Sequence, residues 1–307
     1  MSNQNTTQSV NMNSEKKVTN LTAKELVTGS IRLVSLPEVC IRVNEMLDEP
    51  SVTAAELGQI ISQDTSLTAR LLKIVNSSYY GFQAKIETVS RAVTVVGLRE
   101  LRGLVIAASA VETFSNVPNE ILNKVKFWRH SLYCGVIARL LAEQSHVLHS
   151  ERLFVAGLLH DIGKLIIAQR LPQETRMILL AAETEQQVEV DVEKEFLGFD
   201  HAEVGGELMK AWSMPETLHE SVAFHHTPQR AENGIMETCL VHIANILTDE
   251  AEKGLDMAVE TPIQEINPLA WEVTGLDDSV KDHVFREAGP LFTEALETIL
   301  PRSYPPY

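Results

Sequence analysis

The chain has 307 residues, a formal net charge of −16, 44% hydrophobic residues and 22% charged residues. This length and balance are typical of one large or two small globular domains whose core needs neither disulfides nor metal to fold. The negative charge opposes binding to nucleic acid and to anionic membrane surfaces, so we expect neither class of partner.

Cysteine usage and hydropathy predict the compartment. The three cysteines are Cys40, Cys134 and Cys239. They stand far apart and in no CxxC pattern, which argues against a disulfide framework and a cysteine-based zinc site. The most apolar stretch, residues 153–168, is shorter than the ~20 residues of a bilayer span, and polar side chains interrupt it. The first residues lack the apolar core of a signal peptide, so we expect a cytoplasmic protein.

The N-terminal third predicts a leader followed by short helices. Residues 1–28 hold few apolar side chains and predict a flexible leader. The apolar spacing then becomes helical, and residues 29–117 predict five short helices joined by tight turns. Thr53, with Glu56 three residues later, is a capping box and predicts the start of one of them.

Residues 118–245 predict a second subdomain of longer amphipathic helices, the last of which continues past residue 245. Their ranges are 123–144, 153–169, 175–184, 192–196, 202–212, 215–225 and 236–252. Two further amphipathic segments, at 269–274 and 278–300, predict a C-terminal helical extension over residues 246–307. Strand alternation is weak everywhere, so the sequence predicts an all-α fold.

A polar group of residues inside an apolar stretch is the strongest functional signal. Residues 158–164 read Leu-Leu-His-Asp-Ile-Gly-Lys, and burying His160, Asp161 and Lys164 costs several kcal/mol unless they are paired or bind a metal. Imidazole and carboxylate are ligands expected for Fe, Mn, Zn or Ni. Adjacent helical positions diverge by ~100°, so His160 and Asp161 share one ion only if it lies between their directions.

Other polar residues lie where they could join this pair. His130 lies on the apolar column of its predicted helix, His201 opens a helix, and the pair His225-His226 ends one. Asn245 follows apolar residues inside the next predicted helix. A mononuclear site needs three or four of these side chains, and a binuclear site could use all of them.

Each histidine taken alone is more often a hydrogen-bonded core residue than a ligand. Five others are interpreted as surface or helix-end residues, namely His146, His149, His219, His242 and His283. Lys164 has two interpretations of equal weight: contact with a phosphate as a point charge, or an ion pair with a nearby carboxylate.

The order of the candidate ligands resembles that of the HD superfamily of metal-dependent phosphohydrolases. The matching positions are His130, then His160-Asp161, then Asn245. The run His-Asp-Ile-Gly-Lys, the later His201 and the His225-His226 pair are similar to the HD-GYP branch, which binds two or three metals and cleaves cyclic di-GMP.

The N-terminal third separates the chain from that branch and resembles the HDOD family. The matching stretches are residues 36–39, 60–72, 75–81, 92–97 and 201–212. They read Leu-Pro-Glu-Val, Ile-Ile-Ser-Gln-Asp-Thr-Ser-Leu-Thr-Ala-Arg-Leu-Leu, Val-Asn-Ser-Ser-Tyr-Tyr-Gly, Ala-Val-Thr-Val-Val-Gly and His-Ala-Glu-Val-Gly-Gly-Glu-Leu-Met-Lys-Ala-Trp. The resemblance covers about residues 30–245 and implies an all-helical HDOD domain that acts as an output or scaffold module in bacterial signalling.

Two departures from the HD-GYP pattern bear on activity. Thr227-Pro228 follows the histidine pair in place of Glu and the Gly-Tyr-Pro signature, which argues against hydrolysis of cyclic di-GMP. Asn245 stands where the superfamily has its last metal-binding Asp. A neutral amide is a weaker ligand for a hard divalent ion than a carboxylate and cannot act as a base.

Three functions follow from these observations. The first is a regulatory module that binds one or two divalent transition-metal ions, Fe or Mn before Zn or Ni, and acts on a signalling protein partner of a two-component or cyclic-nucleotide pathway. We find no receiver, GGDEF or EAL segment, so it would act in trans. The expected metal ligands are His130, His160, Asp161, His201, His225, His226 and Asn245.

The second function is a working phosphohydrolase for a phosphate or nucleotide ligand, in which Asp161 and Lys164 are catalytic. The third is a DNA-binding fold, since the turn at Asp64-Thr65-Ser66 could belong to a helix-turn-helix. The charge of −16 and the few basic residues there argue against this third function.

Overall fold

The protein is described by a computed structural model that covers residues 18–30, 36–77, 80, 82–114, 116–255 and 262–299. These residues form an all-α fold without strands, which confirms the predicted fold class. The helices of the N-terminal part are α1 (Ala23–Ser30), α2 (Glu38–Leu47), α3 (Ala54–Ile61), α4 (Thr65–Val75), α5 (Val89–Val96) and α6 (Leu98–Thr113).

The middle and C-terminal parts are also helical. Their helices are α7 (Lys124–Gln144), α8 (Glu151–Leu159), α9 (Ile162–Arg170), α10 (Pro172–Glu185), α11 (Glu189–Leu197), α12 (His201–Ala211), α13 (Glu216–Ala223), α14 (Ile235–Leu255), α15 (Pro268–Thr274) and α16 (Val280–Ile299). A single 3-10 turn, Pro228–Arg230, precedes α14. Within the described residues no helix has both the length and the apolar character of a bilayer span.

Side-chain caps fix several helix starts. In α3 the backbone N–H of Glu56 donates to Thr53 Oγ1 at 3.2 Å, and the Thr53 N–H donates to Glu56 Oε2 at 2.9 Å, which confirms the predicted capping box. Asp64 caps α4 by accepting the N–H of Leu67 at 2.9 Å. The turn at Asp64-Thr65-Ser66 thus lies at the junction between α3 and α4, and Asp64 is the cap of the second helix.

The predicted flexible leader does not hold for residues 23–28. Residues 1–17 lie outside the described part of the chain, but α1 begins at Ala23 and buries Leu26 and Val27. Thr22 and Glu25 form a second capping box, with N–H to side-chain distances of 2.9 and 3.2 Å. The few apolar residues of this segment are therefore enough for one helix, which packs on α9 and α12.

The helix predicted over residues 153–169 is broken at its centre. α8 ends at Leu159 and α9 begins at Ile162, with Asp161 at φ −93° and ψ 6° between them. The sequence pattern does not show this break because both sides of it are apolar. The break places His160 and Asp161 at a helix junction, where their side chains can point toward a common centre.

The proposed boundary at residue 245 also falls inside a helix. α14 runs without interruption from Ile235 to Leu255, so the C-terminal extension begins in the same helix that carries Asn245. The extension packs on its own chain: α15 lies against α14, and α16 lies against α7 and α4. The Tyr133 and Phe292 rings meet edge to face, with centroids 5.1 Å apart.

Four helix–helix contacts assemble the helices that surround the His-Asp junction. α7 lies between α8 and α14, while α9 packs on α12, and α12 packs on α13. At Gly163 an added Cβ would lie 1.9 Å from the His201 carbonyl oxygen, so only glycine permits α9 and α12 to approach this closely.

We therefore expect Gly163→Ala to lower the free energy of unfolding by about 3 kcal/mol, because the helices must separate to accept the methyl group. Urea unfolding followed by circular dichroism measures the change. Gly254→Ala is the control, since an added Cβ there meets nothing within 4 Å, and a gain of up to about 1 kcal/mol is expected. Equal effects of the two substitutions would contradict the packing argument.

Candidate metal centre

The structure brings all the predicted ligand residues into one cluster. His160 ends α8 and Asp161 begins α9, while His201 is the first residue of α12. The pair His225-His226 follows α13, and His130 and Asn245 lie inside α7 and α14. Six separate helices therefore contribute to a single buried site.

The Asp161 carboxylate is the centre of this cluster and is 2% exposed. Its Oδ1 lies 3.0 Å from His201 Nε2, 3.3 Å from His160 Nε2 and 3.7 Å from His225 Nε2. Its Oδ2 lies 3.7 Å from His130 Nε2. His226 Nε2 lies 3.0 Å from His201 Nε2, so the fifth imidazole faces the same centre.

The opposite ring nitrogen of each histidine donates to a fixed acceptor. The Nδ1 acceptors are Glu252 Oε2 for His130 (3.1 Å), the Gly157 carbonyl for His160 (2.7 Å), Glu193 Oε2 for His201 (2.6 Å), the Val222 carbonyl for His225 (2.8 Å) and Gln264 Oε1 for His226 (2.7 Å). Carboxylates and carbonyls at Nδ1 fix the orientation of each ring and leave Nε2 as the nitrogen that faces the centre, as in metal-binding histidines.

Two inward-facing atoms lack a hydrogen-bond partner. Asp161 Oδ1 and His225 Nε2 are buried and form no hydrogen bond within the described residues. The short contact between Asp161 Oδ1 and His201 Nε2 is thus close but poorly directed. Unpartnered buried polar atoms cost free energy, and a group of imidazole nitrogens around a carboxylate is compatible with a divalent metal ion. The residues present fit a cation at this centre.

Asn245 occupies the position of the last expected ligand. Its Oδ1 lies 3.0 Å from His130 Nε2 and 3.1 Å from His160 Nε2. The amide oxygen faces the same space as the two imidazoles, but it brings no negative charge. The cluster therefore contains one carboxylate at its centre, Asp161, where the superfamily pattern would provide two.

Burial and neighbouring charges divide the histidines into two groups. Burial lowers the pKa of His160 to about 3 and also lowers the pKa values of His225 and His226, so these three rings are neutral near pH 7. Burial also acts on His130 and His201, but the carboxylates of Glu252 and Glu193 outweigh it and raise their pKa values to about 9 and about 10. In the metal-free protein near pH 7, these two rings are therefore protonated on both nitrogens and carry a positive charge.

Lys164 forms ion pairs with two carboxylates. Its Nζ lies 2.9 Å from Asp161 Oδ2 and 3.6 Å from Glu189 Oε2. Of the two interpretations of Lys164, the structure therefore shows the ion pair with a nearby carboxylate. Burial alone would raise the pKa of Asp161, yet His160, Lys164 and His201 hold that pKa well below its usual range. The Asp161 carboxylate is therefore ionised and available as a ligand.

Sequence reasoning missed the residues that hold the histidines. Glu193, Glu252 and Gln264 accept from Nδ1 atoms, and Asp249 lies 3.8 Å from His130 Nδ1. Of these, Asp249 and Glu252 follow Asn245 at i+4 and i+7, a spacing that places all three on one face of a helix. From that spacing, Asp249 and Glu252 could have been predicted to lie near the site. Nothing in the sequence indicates the same for Glu193 or Gln264.

Two of the histidines interpreted as surface or helix-end residues are buried. His219 is 6% exposed and His242 is 1% exposed, and His242 lies in the middle of α14. His242 Nδ1 donates to the His225 carbonyl at 2.6 Å, so it supports the cluster from behind without facing its centre. Apolar residues flank His242 on both sides, which was evidence for burial.

Access to the centre is narrow. A cavity of about 450 Å³ lies where the N-terminal helices meet α8 and α13, but no candidate ligand lines it. The cavity beside Lys164 and Glu193 has a volume of about 10 Å³, which suits one water molecule. In the described part of the chain, neither cavity offers a phosphoester a place beside Asp161.

A family model for the HDOD domain matches residues 33–228. The chain belongs to the HDOD domain family. The resemblance drawn from the N-terminal motifs is thereby confirmed. The match ends before Asn245, so the HDOD region proper provides five histidines and Asp161, while α14 and the residues after it provide the remaining contacts of the cluster.

Two curated proteins are similar to part of this chain. An uncharacterized protein of Treponema pallidum (strain Nichols) is 28% identical over 200 residues, which cover 62% of this chain and 37% of that protein. The cyclic di-GMP phosphodiesterase CdgJ of Vibrio cholerae is 25% identical over 190 residues, which cover 54% of this chain and 43% of that protein. The match therefore spans less than half of either curated relative.

A solved structure supports the fold over nearly the whole chain. The HDOD domain protein of unknown function from Geobacter sulfurreducens aligns with a TM-score of 0.67 at 25% identity. The alignment covers 91% of this chain and 99% of that one. Because the alignment extends well past residue 228, the Geobacter protein also has helices that correspond to those after the family match.

The two raised histidine pKa values predict proton release on metal binding. A cation must displace the Nε2 protons of His130 and His201 between pH 7 and about 9, so the dissociation constant should fall by about tenfold per pH unit for each proton released. Calorimetric titration with Mn²⁺ in two buffers of different ionisation enthalpy counts the protons.

The same pKa values predict how the stability of the metal-free protein changes with pH. Both are raised above the unfolded value near 6.5, so their contribution to stability is complete below that pH and is lost as the pH rises through about 9 and about 10. Metal binding at pH 7 without proton release would contradict the protonation of His130 and His201.

Proposed function

We propose that this HDOD protein is a metal-binding regulatory module of bacterial signalling that acts on a signalling protein partner. One observation supports metal binding above all others: five histidines donate through Nδ1 to fixed acceptors and direct Nε2 toward one ionised carboxylate. A set of imidazoles oriented in this way by surrounding acceptors is typical of a preorganised metal site.

The arrangement of the ligands favours two ions that share Asp161. One group comprises Asp161, His201, His225 and His226, and another comprises His130, His160 and Asp161. Asp161 is common to both, and its two oxygens face different histidines. A donor set dominated by imidazole with one central carboxylate suits Fe, with Mn, Zn and Ni as alternatives.

Regulation is favoured over catalysis because the centre is closed. Asp161, His160, His201 and His225 are at most 2% exposed, and they line neither of the two cavities described above. Asn245 also lacks the charge and basicity of the carboxylate expected at its position. Metal occupancy would alter the helices that carry the ligands, and a partner that binds those helices would respond to the change. A signalling pathway based on two-component or cyclic-nucleotide circuits is consistent with the HDOD family.

A phosphohydrolase is the second candidate, and the position of Lys164 favours it. A bound ion would supply Lewis-acid polarisation of a phosphoryl oxygen. Lys164 lies 2.9 Å from Asp161, is 20% exposed, and could offset phosphate charge at the edge of the cluster. This activity requires the surrounding segments to open, and it makes Asp161 and Lys164 the catalytic residues for a phosphate or nucleotide ligand.

Elemental analysis of the purified protein, followed by assays of phosphomonoester and phosphodiester turnover with added Mn²⁺ and Fe²⁺, separates the two candidates. We expect one or two bound transition-metal ions per chain and no turnover of cyclic di-GMP. Turnover that Asp161→Ala abolishes would make the protein an enzyme. A protein that binds no metal would overturn both candidates.

Loss of a central ligand should also destabilise the fold. We expect Asp161→Ala or His160→Ala to remove the metal and to lower the free energy of unfolding by about 3–5 kcal/mol, because buried partners then lose their counter-charge. Thermal unfolding with and without a chelator measures this effect. His149→Asn, at an exposed turn position with φ 58° that Asn tolerates, is the control and should change neither quantity.

A further inference from the structure

A segment beyond the family match lies across the histidine pair. Residues 262–267, here called the strap, directly precede α15 and form no helix or strand. Each strap residue is at least partly exposed. Segments with few buried contacts and no internal hydrogen-bond ladder are the least stable parts of a fold. The strap therefore depends on its contacts with the cluster.

Gln264 makes two hydrogen bonds to the same ligand residue. Its Nε2 donates to the His226 backbone carbonyl at 3.0 Å, and its Oε1 accepts from His226 Nδ1 at 2.7 Å. Because a carbonyl only accepts, the first bond fixes the amide orientation, and the amide oxygen then fixes the proton on Nδ1. Gln264 thus sets both the tautomer and the ring orientation of His226.

Asn267 is linked to His225 through the His242 side chain. Its backbone N–H donates to His242 Nε2 at 2.9 Å, and His242 Nδ1 donates to the His225 carbonyl at 2.6 Å. The Asn267 side chain also donates to Gln229 Oε1 at 3.1 Å, which attaches the strap to the turn before α14. Both members of the His225-His226 pair are therefore positioned by the strap.

We propose that docking of the strap and metal binding are thermodynamically linked, with Gln264 as the positioning residue that couples them. This inference rests on the proposed metal-binding function. A docked strap holds His226 Nε2 toward the centre and so favours the ion. By reciprocity the ion stabilises the docked strap by the same free energy. Loss of the ion therefore weakens strap docking by that free energy, and undocking would expose Ile263 and Ile266, which are now partly buried.

The first test measures Mn²⁺ affinity of the full chain by calorimetry. Gln264→Leu keeps the size of the side chain but removes both bonds to His226, and it should raise the dissociation constant about 10–100-fold. Gln264→Glu retains an acceptor for His226 Nδ1 and should recover most of the affinity. Gln173→Leu, at an exposed position in α10, is the matched control and should bind as the unsubstituted protein does.

The second test is hydrogen exchange measured with and without Mn²⁺. Metal should slow exchange in residues 262–267, above all at the Asn267 N–H, and Gln264→Leu should remove this protection. A residue that only supports the fold would not give metal-dependent protection at the strap. Residues 82–88, on the N-terminal side of α5, serve as the internal control and should exchange at the same rate in both states.

The outcomes separate this inference from the function on which it rests. If the unsubstituted protein binds Mn²⁺ and Gln264→Leu binds it equally well, or if strap exchange ignores the metal, linkage is wrong while metal binding stands. If the unsubstituted protein binds neither Mn²⁺ nor any other transition metal, both are overturned. Weakened binding together with metal-dependent strap protection supports the linkage.

Discussion

A negative charge held inside an apolar helical shell is the constraint on which the rest of the structure depends. Asp161 is 2% exposed, and its ionisation is maintained by Lys164 and by imidazoles from separate helices. Such a charge is stable only if its surroundings are arranged around it. The helix break at this residue, the close contact at Gly163 and the fixed orientation of each histidine all serve to place partners around one carboxylate.

The same constraint explains why the site is larger than the family domain. The HDOD match ends at residue 228, yet His130 donates to Glu252 and faces Asn245, and His226 donates to Gln264. These contacts join α14 and the strap to the centre. Under the proposed function, a change at the ion would alter elements that reach the surface.

The local signals in the sequence were reliable where the physics is local. Helical periodicity predicted the all-α fold, and Thr53 with Glu56 marked a helix start that the structure contains. The apolar run around His160 and Asp161 predicted a buried polar site, and every candidate ligand lies in the cluster. The break between α8 and α9 was missed because the apolar residues on its two sides continue one pattern. The first helix was missed because only a few apolar side chains define it.

The sequence by itself determined the fold class, the family and the set of inward-facing histidines, since these depend on spacing along single helices and on motifs. The tertiary structure alone decided what surrounds them. Glu193 and Gln264 meet their histidines across gaps of 8 and 38 residues, and no periodicity connects such positions. His242 was assigned to the surface although packing buries it. Long-range pairing is set by how helices pack, and that information is not carried by any one segment.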